Sequence, residues 1–218
     1  MFGVLLVVCL RGAQMDRIKR VAGNLYSFRS LANTDSSYSS QVAFQKGIDA
    51  ENEKNFRLAL IFYYRAVSFG TDVSASALVN ISSIKIKMMD FKGAKKVLRA
   101  AIKINPDYIL AHYNMGCCLD GLGDIEGAID SYHKVLKLDP LYFNANYNLG
   151  MIYFNRKEYF FAVKHLNTAI VCADSSSKLE IDKTIIKIKQ VVGHNIGSRT
   201  LVLLGGDVKN IVSDNKEF

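Results

Sequence analysis

The sequence predicts an all-α chain built as an α-solenoid, with further helices flanking the stack at both ends. Three observations carry this. A 34-residue step links Ala94, Ala128 and Ala162, and Ala59 lies 35 residues before the first of them. The same register links Gly47, Ser82, Gly116 and Gly150, then Tyr63, Leu98, Tyr132 and Leu166, then Ala66, Ala101, Val135 and Ala169. Only two prolines interrupt 218 residues, half of which are apolar, so the composition suits a long helical core. A fixed period of this size marks stacked repeats that bury their core between neighbours.

The best repeat reads Ala111-His112-Tyr113-Asn114-Met115-Gly116, then Gly123-Asp124-Ile125-Glu126-Gly127-Ala128-Ile129-Asp130-Ser131-Tyr132, then Leu138-Asp139-Pro140. Gly116 and Ala128 remove bulk, so two helix backbones can approach closely. Tyr132 and Leu136 supply apolar area for the neighbour. Asp124 can cap a second helix, and Pro140 ends it. This pattern resembles the tetratricopeptide repeat (TPR) family, whose units are antiparallel helix pairs. The resemblance implies a right-handed α-solenoid of about four TPR helix pairs, at 40–73, 75–108, 109–142 and 143–176. The outer repeats depart from the pattern. Repeat one ends at Gly70-Thr71 without proline, and repeat two has Leu78 and Ile81 where the family often has larger aromatics. Repeat four has Glu158 at the cap slot and Asp174 at the proline slot.

Residues 1–39 precede the repeats. MFGVLLVVCL is about half the length needed to span a bilayer, and no clear cleavage site follows it. Three readings stay open for it: a start-site extension ahead of Met15 or a disordered tail, an export or membrane anchor, or a part of the fold. Residues 15–32 carry one apolar stripe, Ile18, Val21, Leu25, Phe28 and Ala32. That stripe suits a helix packed on repeat one or one lying on a membrane. Asn33 to Ser40 reads as a linker. Residues 177–218 follow the repeats. There Ile181, Ile185, Ile188 and Val192 predict a capping helix over 178–192, preceded by Ser175-Ser176-Ser177 and broken by Gly193. The short run Thr200 to Leu204 and the glycines after it have no phosphate-loop context.

The net charge of +8 is spread as +3 over 1–39 (five basic, two acidic), +3 over 40–176 (sixteen and thirteen) and +2 over 177–218 (seven and five). One cluster stands out: Lys85, Lys87, Lys92, Lys95, Lys96, Arg99 and Lys103 in repeat two, against Asp90 alone. It reads as solvated surface or as a docking patch for an acidic partner or lipid headgroups. Nucleic acid is disfavoured, because no interleaved aromatics or known module accompany it. Cys9, Cys117, Cys118 and Cys172 lack metal-ligand spacing, so no metal and no cofactor is expected. His112, His133, His165 and His194 read as helix-surface residues. No acid/base pair, metal set or phosphate loop supports an enzyme.

The resemblance also implies that first helices line a binding groove. Its candidates are Gln41, Phe44, Gln45 and Ile48, then Val79, Asn80 and Ser83, then Tyr113, Asn114 and Cys117, and finally Asn144, Tyr147, Asn148 and Met151. Asn80, Asn114 and Asn148 lie 34 apart and would form a ladder of amides able to hold a peptide backbone. The carboxylate clamp of the chaperone-docking branch is missing, since its slots hold Phe44, Ile48, Leu110 and Asn114. The expected function is a non-catalytic protein–protein interaction module, a scaffold or assembly factor in the cytoplasm. The alternative is a membrane-associated or exported assembly protein anchored through its N-terminus.

Overall fold

The computed structural model describes residues 39–195 except Asp72, with side chains as far as Val191. The expected N-terminal helix at 15–32, its linker up to 38, the apolar start and the run at 200–204 lie outside the described residues. Among the described residues there are nine helices and no strand. They are α1 (Ser40–Asn52), α2 (Phe56–Ser68), α3 (Ser74–Lys87), α4 (Phe91–Ile104), α5 (Ile109–Gly121), α6 (Ile125–Leu138), α7 (Phe143–Asn155), α8 (Tyr159–Cys172) and α9 (Ser175–Asn195). The chain divides into two compact bodies at Ala128/Ile129, a division that falls within α6.

In the N-terminal body, α1 pairs with α2 and α3 with α4, while α2 packs on α3, α4 on α5 and α3 on α5. Small residues set the crossings. A Cβ on Gly47 would lie 2.5 Å from the Tyr63 ring, so only glycine admits this approach. Ala59, Ala94 and Ala128 are each fully buried, as the 34-residue register requires. Tyr63, Leu78, Ile81, Ile84 and Leu98 fill the space that the small residues leave. Each such side chain contributes about 1.5–3 kcal/mol of burial.

In the C-terminal body, α7 pairs with α8, and α9 packs on α8. Ala162, Val163, Leu166 and Ala169 of α8 form one core with Ile181, Ile185 and Ile188 of α9. Gly150 repeats the role of Gly47, since a Cβ there would meet Leu166 at 2.7 Å. Two boundaries of α9 differ from the sequence reading. The serines at 175–177 form its first turn, because the Asp174 carboxylate accepts the Ser177 N–H at 2.7 Å and the Ser176 hydroxyl at 2.8 Å. These bonds hold the Asp174 carboxyl below the usual carboxylate range. Gly193 does not break the helix, which continues to Asn195. A glycine near a helix end costs only about 1 kcal/mol and need not end it.

The turn inside each repeat has one geometry. Lys54, Met89, Gly123 and Lys157 occupy the same slot, and all four have positive φ, between 58° and 77°. The next residue donates its N–H five residues back, to the carbonyls of Ala50, Lys85, Leu119 and Tyr153 respectively. This is the Schellman end of the first helix. That same residue then caps the second helix. Asn55, Asp90 and Asp124 accept the N–H of Leu58, Gly93 and Gly127 at 3.2, 2.9 and 3.1 Å. Glu158 makes no side-chain cap. Repeat four therefore has a lysine in left-handed backbone and an empty cap. Lys157→Gly with Glu158→Asp is expected to stabilise the chain by about 1–2 kcal/mol, read as a raised thermal midpoint. An unchanged or lowered midpoint would show that the shared turn geometry does not limit stability.

Candidate functional site

The first helices of the N-terminal body, α1, α3 and α5, present a side that is tied together by polar links. Buried Tyr63 donates its hydroxyl to Glu51 at 2.9 Å and is also bonded by the Asn80 amide. Burial, then the Glu51 hydrogen bond and charge, push the Tyr63 hydroxyl pKa up. Glu51 in turn takes Lys87 at 3.0 Å, which joins α1 to α3. Asn114 of α5 donates to Ser82 and Ser83 of α3 at 3.2 and 2.9 Å. Those hydroxyls donate onward to the Val79 carbonyl at 2.6 and 3.2 Å, which fixes the direction of the amide.

The three asparagines keep their register, but their amides serve inter-repeat bonding. Asn80 meets Tyr63 and, in the C-terminal body, Asn148 donates to the Tyr132 hydroxyl at 3.0 Å. Each tyrosine belongs to the second helix of the preceding repeat. Leu98 stands in the tyrosine slot before Asn114, which accordingly turns to the two serines. The picture of three amides turned toward a bound backbone thus needs correcting for Asn114, whose N–H donors both point into the fold. Its Oδ1 is left as an acceptor. The alternation of Tyr63, Leu98, Tyr132 and Leu166 is the sequence signal for this pairing.

Val79, a groove candidate, is 3% exposed, so it belongs to the core and offers only its carbonyl to the serines. Gln41 and Gln45 are exposed, and Gln45 bonds Asp49 on its own helix at 3.0 Å. Phe44, Ile48, Ser83, Tyr113 and Cys117 are half-buried. Phe44 rests against the Tyr63 ring at 5.7 Å. Leu110 extends the apolar part of this side and is 42% exposed.

The candidates of repeat four have other surroundings. Asn144 is exposed and Met151 half-buried. Tyr147 stacks on Phe143 and packs against the α8–α9 core. Its hydroxyl bonds Glu180 of α9, and burial followed by the Glu180 charge pushes its pKa up. Lys187 of α9 lies over the Phe154 ring at 5.7 Å. The last described helix, α9, therefore engages this part of the expected groove.

The repeat-two cations separate into two groups. Lys85 is 7% exposed and pairs with Asp90 at 2.7 Å, so it is a core residue and no part of a surface patch. The Lys85 hydrogen bond, with help from the Gly93 N–H, holds the Asp90 carboxyl below its usual range. Lys87 pairs with Glu51, and Lys95 lies 3.8 Å from Asp124. Lys92, Lys96, Arg99 and Lys103 are exposed on α4.

The histidines are less exposed than a surface reading implies. His112 is buried and bonds the Pro106 carbonyl at 2.6 Å. Asn146, one period later, does the same to Pro140 at 3.0 Å. In the C-terminal body His165 stacks on Tyr153 and faces His133, with ring centroids 5.7 and 5.9 Å away. Burial, then His133 and Lys164, lower its pKa to about 4. The His194 side chain lies outside the described residues. Cys118 is buried and donates to the Phe91 carbonyl, and burial pushes its thiol up. Among the described residues no group of three metal-ligating side chains gathers, and no helix is long and apolar enough to cross a membrane.

An all-α chain of helix pairs with small residues at each crossing defines a repeat protein of the interaction type. Tetratricopeptide repeat models match residues 75–108 and 109–142, so the chain carries tetratricopeptide repeats over these two units. Its fold is that of several solved structures, two of them titled TPR proteins. A MamA fragment from Desulfovibrio magneticus RS-1 is 18% identical with a TM-score of 0.55, covering 84% of this chain and 93% of that one. A thermophilic TPR protein of Thermus thermophilus, TTC0263, is 17% identical with a TM-score of 0.57, covering 71% and 84%. YrrB, titled a TPR protein with an unusual peptide-binding site, is 21% identical with a TM-score of 0.56, covering 68% and 76%. No curated protein matches the sequence. The repeats make this chain a protein–protein interaction module, of a fold that is generally non-catalytic.

Proposed function

We propose that the chain is a non-catalytic scaffold or assembly factor that holds an extended segment of a partner protein on the α1–α3–α5 side of its N-terminal body. The observation that carries this is the run of half-exposed apolar and aromatic side chains there, Phe44, Ile48, Leu110 and Tyr113, on a frame held by hydrogen bonds. Such groups supply contact area, while the Asn114 Oδ1 can accept a backbone N–H of the bound segment. A rigid frame lowers the ordering cost of binding. YrrB, on the same fold, is titled as having a peptide-binding site.

The test is a random-peptide display selection on the immobilised full chain, followed by titration of the selected peptides. Phe44→Ala with Tyr113→Ala is expected to weaken them about tenfold or more, mainly through the off-rate, with the helical melt little changed. Asn114→Ala is expected to lower stability by about 1 kcal/mol, through Ser82 and Ser83, with a smaller effect on affinity. Selected peptides that bind the Phe44/Tyr113 variant as well as the parent would place the binding face elsewhere.

A further inference from the structure

Of seven cations crowded into repeat two, the fold neutralises three. Lys85, Lys87 and Lys95 each have a carboxylate, from Asp90, Glu51 and Asp124. Lys92, Lys96, Arg99 and Lys103 pair with no carboxylate among the described residues. Their spacing of four, three and four residues puts them on one stripe of α4, opposite the buried Ala94, Val97, Leu98 and Ala101. At about 1.5 Å of rise per residue the stripe is about 16 Å long.

Its borders decide what it fits. The corresponding positions of α2 are Arg57, Ile61, Tyr64 and Ser68, of which only the first is charged. On the other side Lys95 reaches Asp124, which places a carboxylate along that edge, and Glu126 opens the next helix. The positive potential is therefore a line one helix wide, with acid beside it. A lipid surface is a plane and would bring its anionic headgroups against that acidic edge as well. A single acidic chain follows a line. Alternate residues of an extended segment recur about every 6.6 Å, close to the spacing of about 5–6 Å between successive cations of the stripe.

We propose that this outer stripe of α4 is a second docking surface, separate from the α1–α3–α5 side, for an acidic segment of a partner protein. Exposed ion pairs of this kind contribute little individually and act mostly on the rate of encounter. The complex forms fast and is sensitive to salt.

The test uses the full chain and a fluorescent peptide of alternating glutamate and serine, about ten residues long, with a glutamine-for-glutamate peptide and phosphatidylserine vesicles as comparators. At about 0.1 M salt the glutamate peptide is expected to bind. At about 1 M salt, where the screening length falls from about 10 Å to about 3 Å, it is expected to be released. Lys96→Glu with Arg99→Glu is expected to weaken binding about tenfold or more and to slow association. Lys183→Glu with Lys189→Glu on α9 changes the net charge equally and is expected to have little effect. Equal losses in the two variants would mean that net charge alone attracts the peptide, and would overturn the proposal. So would equal binding of the glutamine peptide, a lack of binding at 0.1 M salt, or retention of the chain on vesicles but not by the peptide.

Discussion

Ile181→Ala with Ile188→Ala is expected to cost about 4 kcal/mol or more and to bring the chain toward aggregation. Both side chains are fully buried in the core that α9 shares with α8. Each truncation removes apolar contact and leaves a cavity, at about 2–5 kcal/mol for a core isoleucine. The whole stability of a domain is about 5–15 kcal/mol, so the pair removes a large part of it. The consequence follows from the repeat architecture, since each repeat depends on the next element to cover its apolar face. With α9 loosened, Val163, Leu166 and Ala169 face water. The same helix supplies its own control. Leu179 and Ile186 are 57% and 54% exposed, so Leu179→Ala with Ile186→Ala is expected to stay within about 1 kcal/mol of the parent. Urea denaturation with size-exclusion chromatography separates the outcomes. Equal losses from the two faces of α9 would mean that it does not cap the core.

The stack is legible in the sequence because its information is periodic. Ala59, Ala94, Ala128 and Ala162 recur for one steric reason, so a single spacing reports four burials at once. The turn slots are legible in part. Asp90 and Asp124 announce caps by residue type, but left-handed Lys54, Met89 and Lys157 do not, because nothing except the shared period marks them. Asp174 stands in a slot where proline is usual, which hides its plain role as the N-cap of α9. The groove candidates lie on first helices, as the register implies, but their contacts differ from expectation. A helical register fixes which way a residue leaves its own helix. It does not fix whether the neighbouring helix supplies a tyrosine, as for Asn80 and Asn148, or two serines, as for Asn114. The charge cluster shows the same limit. Seven cations look alike in sequence, and only the positions of Glu51, Asp90 and Asp124 in space divide them into paired and exposed. The histidine cluster is least legible, since His133, Asn146, Tyr153 and His165 come from three helices and share no motif.

That cluster carries the other large expected effect. The Asn146 amide donates to the Pro140 carbonyl at 3.0 Å, so its Oδ1 faces His165 as an acceptor at 3.1 Å. His165 therefore carries its proton on Nδ1 when neutral. A second proton would charge a ring that is largely removed from water and faces His133, with Lys164 next in sequence. Burial, first of all, then takes its folded pKa down from 6.5 to about 4. His133 is also lowered, chiefly by burial. The unfolded chain binds a proton at His165 near pH 6.5, while the folded chain does not until about pH 4. Over that window the unfolded state holds more protons, so stability rises with pH. The contribution of neutral His165 is full above about pH 6.5 and is lost as pH falls toward about 4, on the order of 3 kcal/mol. His165→Gln keeps a donor for Asn146 and cannot titrate. Its urea midpoint is expected to fall less than the parent's between about pH 7 and about pH 4.5, with the two curves diverging from about pH 6.5 downward. Parallel curves for parent and variant would mean that His165 protonates as easily in the folded chain as in the unfolded one, and that the ring is open to water.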